Sequence, residues 1–548
     1  MDRKTKTLGE IFEFAVNKFP DKLALKKGDI TYTYTQLKAE VIKLKNYLIE
    51  QGLKRGDKLA VFGENRPEWA IGYLAIVRAG LVVVPIDRML STAEILHILR
   101  SSEAKGVIAS ENYVDNIEAV KPELNDFEYI IQMDKIKDLK PTREIPVDDI
   151  DPDSLAVLIF TSGTTGTSKA VMLSHKNIIS NLESVDKIIK INENDTLVSI
   201  IPMHHTFEGT AGFIYPLYQG AAIYYPSSLK PKDILATMKE ANVSCLIAVP
   251  LLFEKFLAAV HRKVAAAPIP TKIMFNAISG IGSVFRFLRK PLFTKVRNEM
   301  GLGNLRIAAA GGAALTEKVA RGLELFAIPI IQGYGLTETA PVISVSPLEK
   351  PKPASVGVPI PDVEVKIDKP GKDGIGEIIV RGPNVMLGYY KNEKATNEII
   401  KDGWLYTGDL GFMDEEGYLY ITGRMKSLIV TQTGKNIYPE ELEEKIIKSQ
   451  WVKEVLVVPR IDAKTKKESI CALIFPDYEL LEEYSISSEI TFKQEDVEAI
   501  FKDVVHEVNE GLPAYKRITQ FEVREEEFPK TTTQKIKRHM FIERGIKV

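Results

Sequence analysis

Between Phe160 and Lys169 the chain reads FTSGTTGTSK, directly after the apolar run Leu155-Ala-Val-Leu-Ile-Phe160. Thr161, Ser162, Thr164 and Thr165 supply rotatable hydroxyls, Gly163 and Gly166 leave main-chain N–H groups open, and Lys169 adds a point charge. Closely spaced backbone donors, hydroxyls and an ammonium favour an anion that approaches the main chain, so phosphate is the ligand this composition suits. A flexible loop is the plainer alternative. The phosphate loop of nucleotide hydrolases needs Gly, four residues, Gly, Lys and Ser or Thr. Counted from Gly163, Ser168 stands where the second glycine belongs and Ala170 where the hydroxyl belongs. A GxGxxG after the first strand is also missing, so the dinucleotide signature is excluded.

Such a loop must be held up by a strand, and the surrounding pattern supplies strands. DKLAVFGENRPEWAIGYLAIVRAGLVVVPID reads as a buried strand, an amphipathic helix opened by Pro67 and stopped near Gly80, and a second buried strand. DTLVSIIPM, GAAIYYP, VSCLIAVP, NLRIAAAGG and IPIIQGYG continue the alternation. The fold class is therefore α/β: a large N-terminal domain of doubly wound, mostly parallel sheets whose binding loops lie at the carboxyl ends of the strands. After about residue 350, short strands punctuated by Gly and Pro (GEIIVRGP, GYLYITGR) suggest a small β-rich subdomain. The expected domains are 1–424 and 425–548. The second is a compact α+β domain with the strands VKEVLVVPRI and SICALIFP and two charged helices.

Composition bounds the function. The 548 residues are 45% hydrophobic and 27% charged with a formal net charge of -2, so no basic excess points to nucleic acid. Cys245 and Cys471 sit far apart in apolar runs and read as buried thiols, not as a disulfide or metal pair. Seven scattered histidines, His204 and His205 included, show no metal spacing. The polar start MDRKTKTLGEIFEF lacks the apolar core of a signal peptide and no stretch is long enough to span a bilayer, so a cytoplasmic protein is expected. Oligomeric state is not legible.

The string FTSGTTGTSKAVMLSH resembles the signature of the adenylate-forming (AMP-binding) enzyme superfamily, which includes acyl-CoA synthetases, luciferase and peptide-synthetase adenylation domains. Five further motifs follow in that family's order: Ala310-Gly-Gly-Ala-Ala-Leu315, Gln332-Gly-Tyr-Gly-Leu-Thr-Glu-Thr339, Gly403-Trp-Leu-Tyr-Thr-Gly-Asp-Leu410, Gly423-Arg-Met-Lys426 and Thr531-Thr-Thr-Gln-Lys-Ile-Lys-Arg538. IVTQTGKNIYPEELE and VPLLFEKFLAAVHRKV resemble the long-chain fatty acid–CoA ligase branch. Ser168, Ala170 and Gln534 depart from the usual proline, glycine and glycine.

That resemblance implies ATP-dependent activation of a fatty acid, long-chain in the leading reading, to an acyl-adenylate and its transfer to coenzyme A. ATP would be held by Thr161, Ser162, Gly163, Thr164, Thr165, Gly166 and Lys169, by Gly311, Gly312 and Ala313, and by Gln332, Gly333, Tyr334 and Thr337. Asp409 and Arg424 would take the ribose, and Thr161 with Glu338 would coordinate Mg²⁺, a hard cation suited to oxygen ligands. Lys535, His205 and Thr337 would be catalytic, with Lys535 bridging carboxylate and α-phosphoryl. Lys426 would be the hinge of a mobile C-terminal domain, and Gly434, Lys435 and Asn436 would line the coenzyme A passage. The plain reading of Lys535 is a solvated basic tail with Lys530, Lys537 and Arg538. Acyl carrier protein as the acceptor, a non-catalytic nucleotide or acyl sensor and luciferase-like oxidation are the competing functions.

One further stretch stands outside those motifs. IMFNAISGIGSVF, between Lys272 and Arg286, is largely apolar yet too short to span a bilayer, and Arg286, Arg289, Lys290, Lys295 and Arg297 follow it. It suits either peripheral contact with an anionic membrane or, the leading expectation, a helix packed on its own domain with a solvated basic face.

Overall fold

The computed structural model describes residues 6–147, 149–161, 168–313, 315–430, 436–461, 468–488, 492–530 and 536–542. The chain divides into two compact units: residues 1–365, 380–405 and 415–419 form the first, and 366–379, 406–414 and 420–548 the second.

In the first unit the alternation of buried strands and helices builds two sheets. The seven-stranded sheet runs Gly388–Tyr389, Lys169–Ser174, Leu155–Thr161, Val82–Ile86, Lys58–Phe62, Ala104–Ala109, Tyr129–Gln132. Its central strands are parallel, and only the two at the Gly388–Tyr389 edge run antiparallel. The nine-stranded sheet has a parallel centre formed by Thr196–Val198, Ala222–Tyr224, Cys245–Ala248, Ile307–Ala310 and Ile330–Gly335. Antiparallel strands close both of its edges. The expected doubly wound α/β architecture is therefore the one observed.

The helix Pro67–Arg78 starts at its proline, where a missing N–H costs nothing, and the chain leaves through Gly80 at φ +72. It departs from expectation in burial, since every residue from Pro67 to Val77 is buried. Helices Leu8–Lys18 and Tyr34–Glu50 cover the side that an amphipathic helix would leave wet. Cys245 and Cys471 are both buried free thiols, as expected.

The second unit carries a three-stranded sheet of Val452–Ile461, Glu468–Pro476 and Gln520–Val523. Its core joins Leu442, Ile446, Val457, Ile474 and Phe501. A short helix, Pro439–Ile446, joins the two longer charged helices Tyr478–Ser488 and Gln494–Glu510 that the sequence suggests. Among the described residues no helix is long and apolar enough to cross a membrane.

Candidate active site

The strands Leu155–Thr161 and Lys169–Ser174 pair antiparallel, and their last pair, Thr161 opposite Lys169, lies at the carboxyl end of the first. Ser162, Gly163, Thr164, Thr165 and Gly166 lie outside the described residues. Lys169, at the start of the second strand, and the distant Glu338 converge on one aromatic residue. Lys169 Nζ stands 4.8 Å from the centroid of Tyr389, and the Tyr389 hydroxyl donates to Glu338 Oε1 at 2.8 Å. Tyr389 reaches this place because Gly388–Tyr389 pairs with Val171–Met172 beside the hairpin. Burial and the Glu338 carboxylate hold its phenol well above the usual tyrosine range.

Glu338 arrives from the other sheet. Strand Ile330–Gly335 ends in a turn, Thr337–Thr339, fastened by the buried Thr339 hydroxyl, which donates to Pro341 O at 2.8 Å. Asn384 Nδ2 donates to Thr339 O at 3.1 Å and to Val342 O at 3.0 Å, and Asn181 Nδ2 reaches Val342 O at 2.7 Å. A Cβ on Gly335 would stand 1.8 Å from Pro341 O, so only glycine lets the chain double back there. Gln332, Gly333 and Thr337 are half-buried along this strand and turn, and Tyr334 is buried. The Tyr389–Glu338 bond therefore ties the carboxyl ends of the two sheets together.

A second tie lies beside it. Asn65, on the loop after Lys58–Phe62, donates to Ser199 Oγ at 2.9 Å and to Ile201 O at 2.7 Å, and accepts from Met203 N at 3.0 Å. This fixes the segment Ser199–Phe207, in which His205 Nδ1 accepts from Phe207 N at 3.2 Å. Its neighbour His204 is half-buried, with Nε2 3.5 Å from Asp87. Desolvation pushes the His204 imidazole down, against the pull of Asp87. Gly311 backs directly onto Phe207: a Cβ there would lie 2.8 Å from its ring. Gly312 takes φ +82 and Ala313 is exposed, so the turn after strand Ile307–Ala310 shows bare main chain beside the histidine segment.

Under that segment lies a carboxylic acid that sequence reasoning missed as a site group. Glu208 is completely enclosed, at 1% exposure, and opens a π-helical turn, Glu208–Ile214. Ser199 Oγ donates to its Oε1 at 2.5 Å, and burial pushes the acid up to about 8. Phe213 and Tyr215, in and just after this turn, are buried at 1% and 2%; Phe213 packs edge-on against Trp69 and Tyr73.

In the second unit Asp409 is 3% exposed and receives Arg424 Nε at 2.7 Å. Its own N–H donates to Thr407 Oγ1 at 3.0 Å, and Gly408 N, at φ +71, donates to Glu377 Oε1 at 2.9 Å. The hairpin strands Trp404–Met413 and Leu419–Arg424 set this pair side by side. Lys426 is exposed on a 3₁₀ turn and Asn436 is exposed on a short strand, while Gly434, Lys435 and Lys535 lie outside the described residues. The chain on either side of Lys535 is no solvated tail. Arg538 grips Glu443 through two contacts of 2.7 and 2.8 Å and donates to Val457 O at 2.8 Å. Lys530 pairs with Glu454 and, at 3.3 Å, with Glu527, and a β-bridge joins Lys530 to Ile536.

A family model described as AMP-binding enzyme matches residues 12–390, and one described as AMP-binding enzyme C-terminal domain matches 426–544. The chain belongs to the AMP-binding enzyme family. This AMP-binding enzyme is 29% identical over 500 residues to a long-chain-fatty-acid–CoA ligase of Escherichia coli O157:H7, covering 82% of each chain. It is 26% identical over 602 aligned positions to a putative acyl-CoA synthetase of Bacillus subtilis strain 168, covering 99% of this chain and 97% of that one. The ATP-bound MatB from Rhodopseudomonas palustris superposes with a TM-score of 0.79 at 25% identity, covering 98% of each chain.

The donor set of the enzyme suits Mg²⁺. Thr161 and Glu338 offer hard oxygens, the donor type of an ion held by one or two side chains together with substrate phosphates and water. A cavity of about 490 Å³ lies elsewhere, lined by Arg306, Pro329 and Ile330 at the amino ends of the strands whose carboxyl ends carry the motifs.

Proposed function

We propose that this AMP-binding enzyme activates a fatty acid with ATP and Mg²⁺ to an acyl-adenylate and passes the acyl group to coenzyme A. The observation that carries this reading is the convergence of Lys169 and Glu338 on Tyr389, where the phosphate hairpin of one sheet meets the Thr337–Glu338 turn of the other. A carboxylate is a poor electrophile, and replacing pyrophosphate on the α-phosphorus of ATP gives its acyl group a leaving group. The carboxylate oxygen bonds to phosphorus as the bond to pyrophosphate breaks; the thiol then attacks the acyl carbon and AMP departs. Mg²⁺, held through Thr161 and Glu338, would offset phosphate charge.

The chain's own groups divide the work. Lys169 and the hairpin main chain hold the β- and γ-phosphates, Thr337 reaches the α-phosphate, and Gly311 to Ala313 with Gln332 to Tyr334 frame the adenine. Asp409 accepts from the ribose hydroxyls while Arg424 orients its carboxylate. His205, steadied from below by Phe207 N and the Asn65 clamp, orients the acid. Lys535 supplies the ammonium at the reacting oxygens, Lys426 is the pivot between half-reactions, and Gly434, Lys435 and Asn436 admit the thiol arm. Similarity to the Escherichia coli ligase supports a long-chain acid.

Purified enzyme with ATP and Mg²⁺ and a panel of acids from acetate to stearate, read by AMP release with coenzyme A or acyl carrier protein as acceptor, tests the reading. A maximum at long chains with coenzyme A is expected. A maximum at acetate, or turnover only with the carrier protein, would replace the substrate or the acceptor. Failure to release pyrophosphate with any acid would leave a nucleotide or acyl sensor.

A further inference from the structure

Helix Ile269–Val284 is apolar nearly all round, with Lys272 its only charged residue. One side faces inward: Phe275 meets Phe293 and Phe326 at centroid distances of 6.0 and 6.3 Å, and Ile278 joins the same core. The opposite side does not. Ile269 is 70% exposed, Ile273 65% and Val284 70%, and Met274 and Ile281 lie exposed with them along the helix. Phe285 and Phe287, the latter 77% exposed, extend the strip past the helix end. The solvated basic face expected of a self-packed helix is therefore an apolar face instead. A helix apolar on both sides has its second side matched to an apolar environment outside its own domain, and a contiguous exposed strip of this kind marks an interaction surface.

Charge identifies the environment. Residues 255–298 contain nine Lys and Arg and no Asp or Glu, in a chain whose net charge is -2. Arg297 is buried and donates to main-chain carbonyls, Arg286 and Arg289 share Glu324, and Lys263 lies 3.5 Å from Glu299. Lys272, Lys290 and Lys295 have no acidic partner among the described residues, and the last two are exposed on the short helices that follow the Phe285–Phe287 turn. A second copy of the chain packed face to face by a two-fold axis would set this acid-free segment against itself, which like-charge repulsion disfavours. An apolar strip edged by cations matches the interface of an anionic bilayer, where the strip enters the acyl boundary and the cations meet the headgroups.

We propose that helix Ile269–Val284 and the Phe285–Phe287 turn dock this enzyme on the surface of an anionic lipid bilayer without crossing it. Sixteen residues of helix are too few to span the hydrocarbon, so the contact is peripheral and reversible.

The test is sedimentation of the full chain with vesicles of phosphatidylcholine alone or containing phosphatidylglycerol. Ile273→Asn with Phe287→Asn removes the apolar anchor, and Lys272→Gln, Lys290→Gln and Lys295→Gln remove the cations. Arg289 is left in place because it is mostly buried and donates to Gly282 O at 2.8 Å. All five positions lie on the surface or its margin, and thermal unfolding midpoints check that each variant folds. Binding to anionic vesicles should exceed binding to neutral ones and fall as salt shortens the screening length. It should drop about tenfold or more in either variant, each lost cation accounting for up to about fivefold. Equal binding by parent and both variants overturns the proposal. So does an asparagine variant that turns a dimer into a monomer while vesicle binding persists, which would make the face a contact between copies.

Discussion

Tyr389 makes two connections that no motif announces: its ring lies under Lys169 and its hydroxyl holds Glu338. Tyr389→Phe keeps the ring and removes only the hydrogen bond to a carboxylate, a bond worth about 1.5–3 kcal/mol. Pyrophosphate release should fall roughly tenfold and need more Mg²⁺ for half its maximum, while the thermal midpoint falls by no more than a few degrees. An unaltered Mg²⁺ dependence would separate Tyr389 from the metal site. Glu208 gives a pH test. Its folded pKa, about 8, lies above the ordinary carboxylate value of 4.5, so the folded chain holds this proton more tightly than the unfolded one. Stability from this group is fully present below pH ~4.5 and is lost as pH rises toward about 8. Glu208→Gln, uncharged throughout, should flatten that loss, so urea unfolding at pH 5 and pH 8 should differ less in the variant than in the parent. Equal slopes would show that Glu208 is ionised in the fold. The motif residues were legible because their order resembles one family. Tyr389 was not, because it meets Glu338 across 51 residues and two sheets, and Glu208 in HHTFEGT reads as an ordinary surface acid until its burial is known.

At the scale of elements, strands following the apolar runs were legible, including the one that ends at the glycine-rich segment, but the antiparallel return through Lys169–Ser174 was not. What periodicity could not supply was the environment on the far side of each helix. Pro67–Arg78 looks amphipathic yet is covered by two other helices, while Ile269–Val284 looks like a core helix and leaves half its apolar surface uncovered. The π-helical turn at Glu208 breaks the 3.6-residue period and has no sequence signature of its own. The basic segment near the C-terminus shows the same limit, since its cations read as solvated until Glu443 and Glu454 are found to receive them. Glu443 is half-buried, and its desolvation pushes its acid up to about 6 against the pull of Arg538. Arg538→Ala would leave that half-buried acid without its partner, costing about 1–3 kcal/mol. Denaturant unfolding should show that loss, and adenylate formation should fall further than thioester formation from supplied acyl-adenylate, because Arg538 secures the chain three residues from Lys535. Equal losses in both half-reactions would mean that Arg538 serves stability alone.

At the scale of the molecule, the resemblance of six ordered motifs led to an α/β fold in which both sheets bring their carboxyl ends to one site in the first unit, while Asp409, Arg424 and the anchored C-terminal segment belong to the second. Acyl chain length was the least legible property, because apolar linings carry no signature: Phe213 and Tyr215 have the same composition whether they face a substrate or a core. The central claim is the acyl-adenylate, and it can be read without knowing the best substrate. The enzyme is given a fatty acid whose carboxyl oxygens are both ¹⁸O, with ATP, Mg²⁺ and coenzyme A, and the nucleotide product is weighed by mass spectrometry. One ¹⁸O in AMP is predicted, because the carboxylate oxygen that bonds to the α-phosphorus leaves with it when the thiol takes the acyl group. Unlabelled nucleotide, or ADP accompanied by ¹⁸O in inorganic phosphate, would contradict the account.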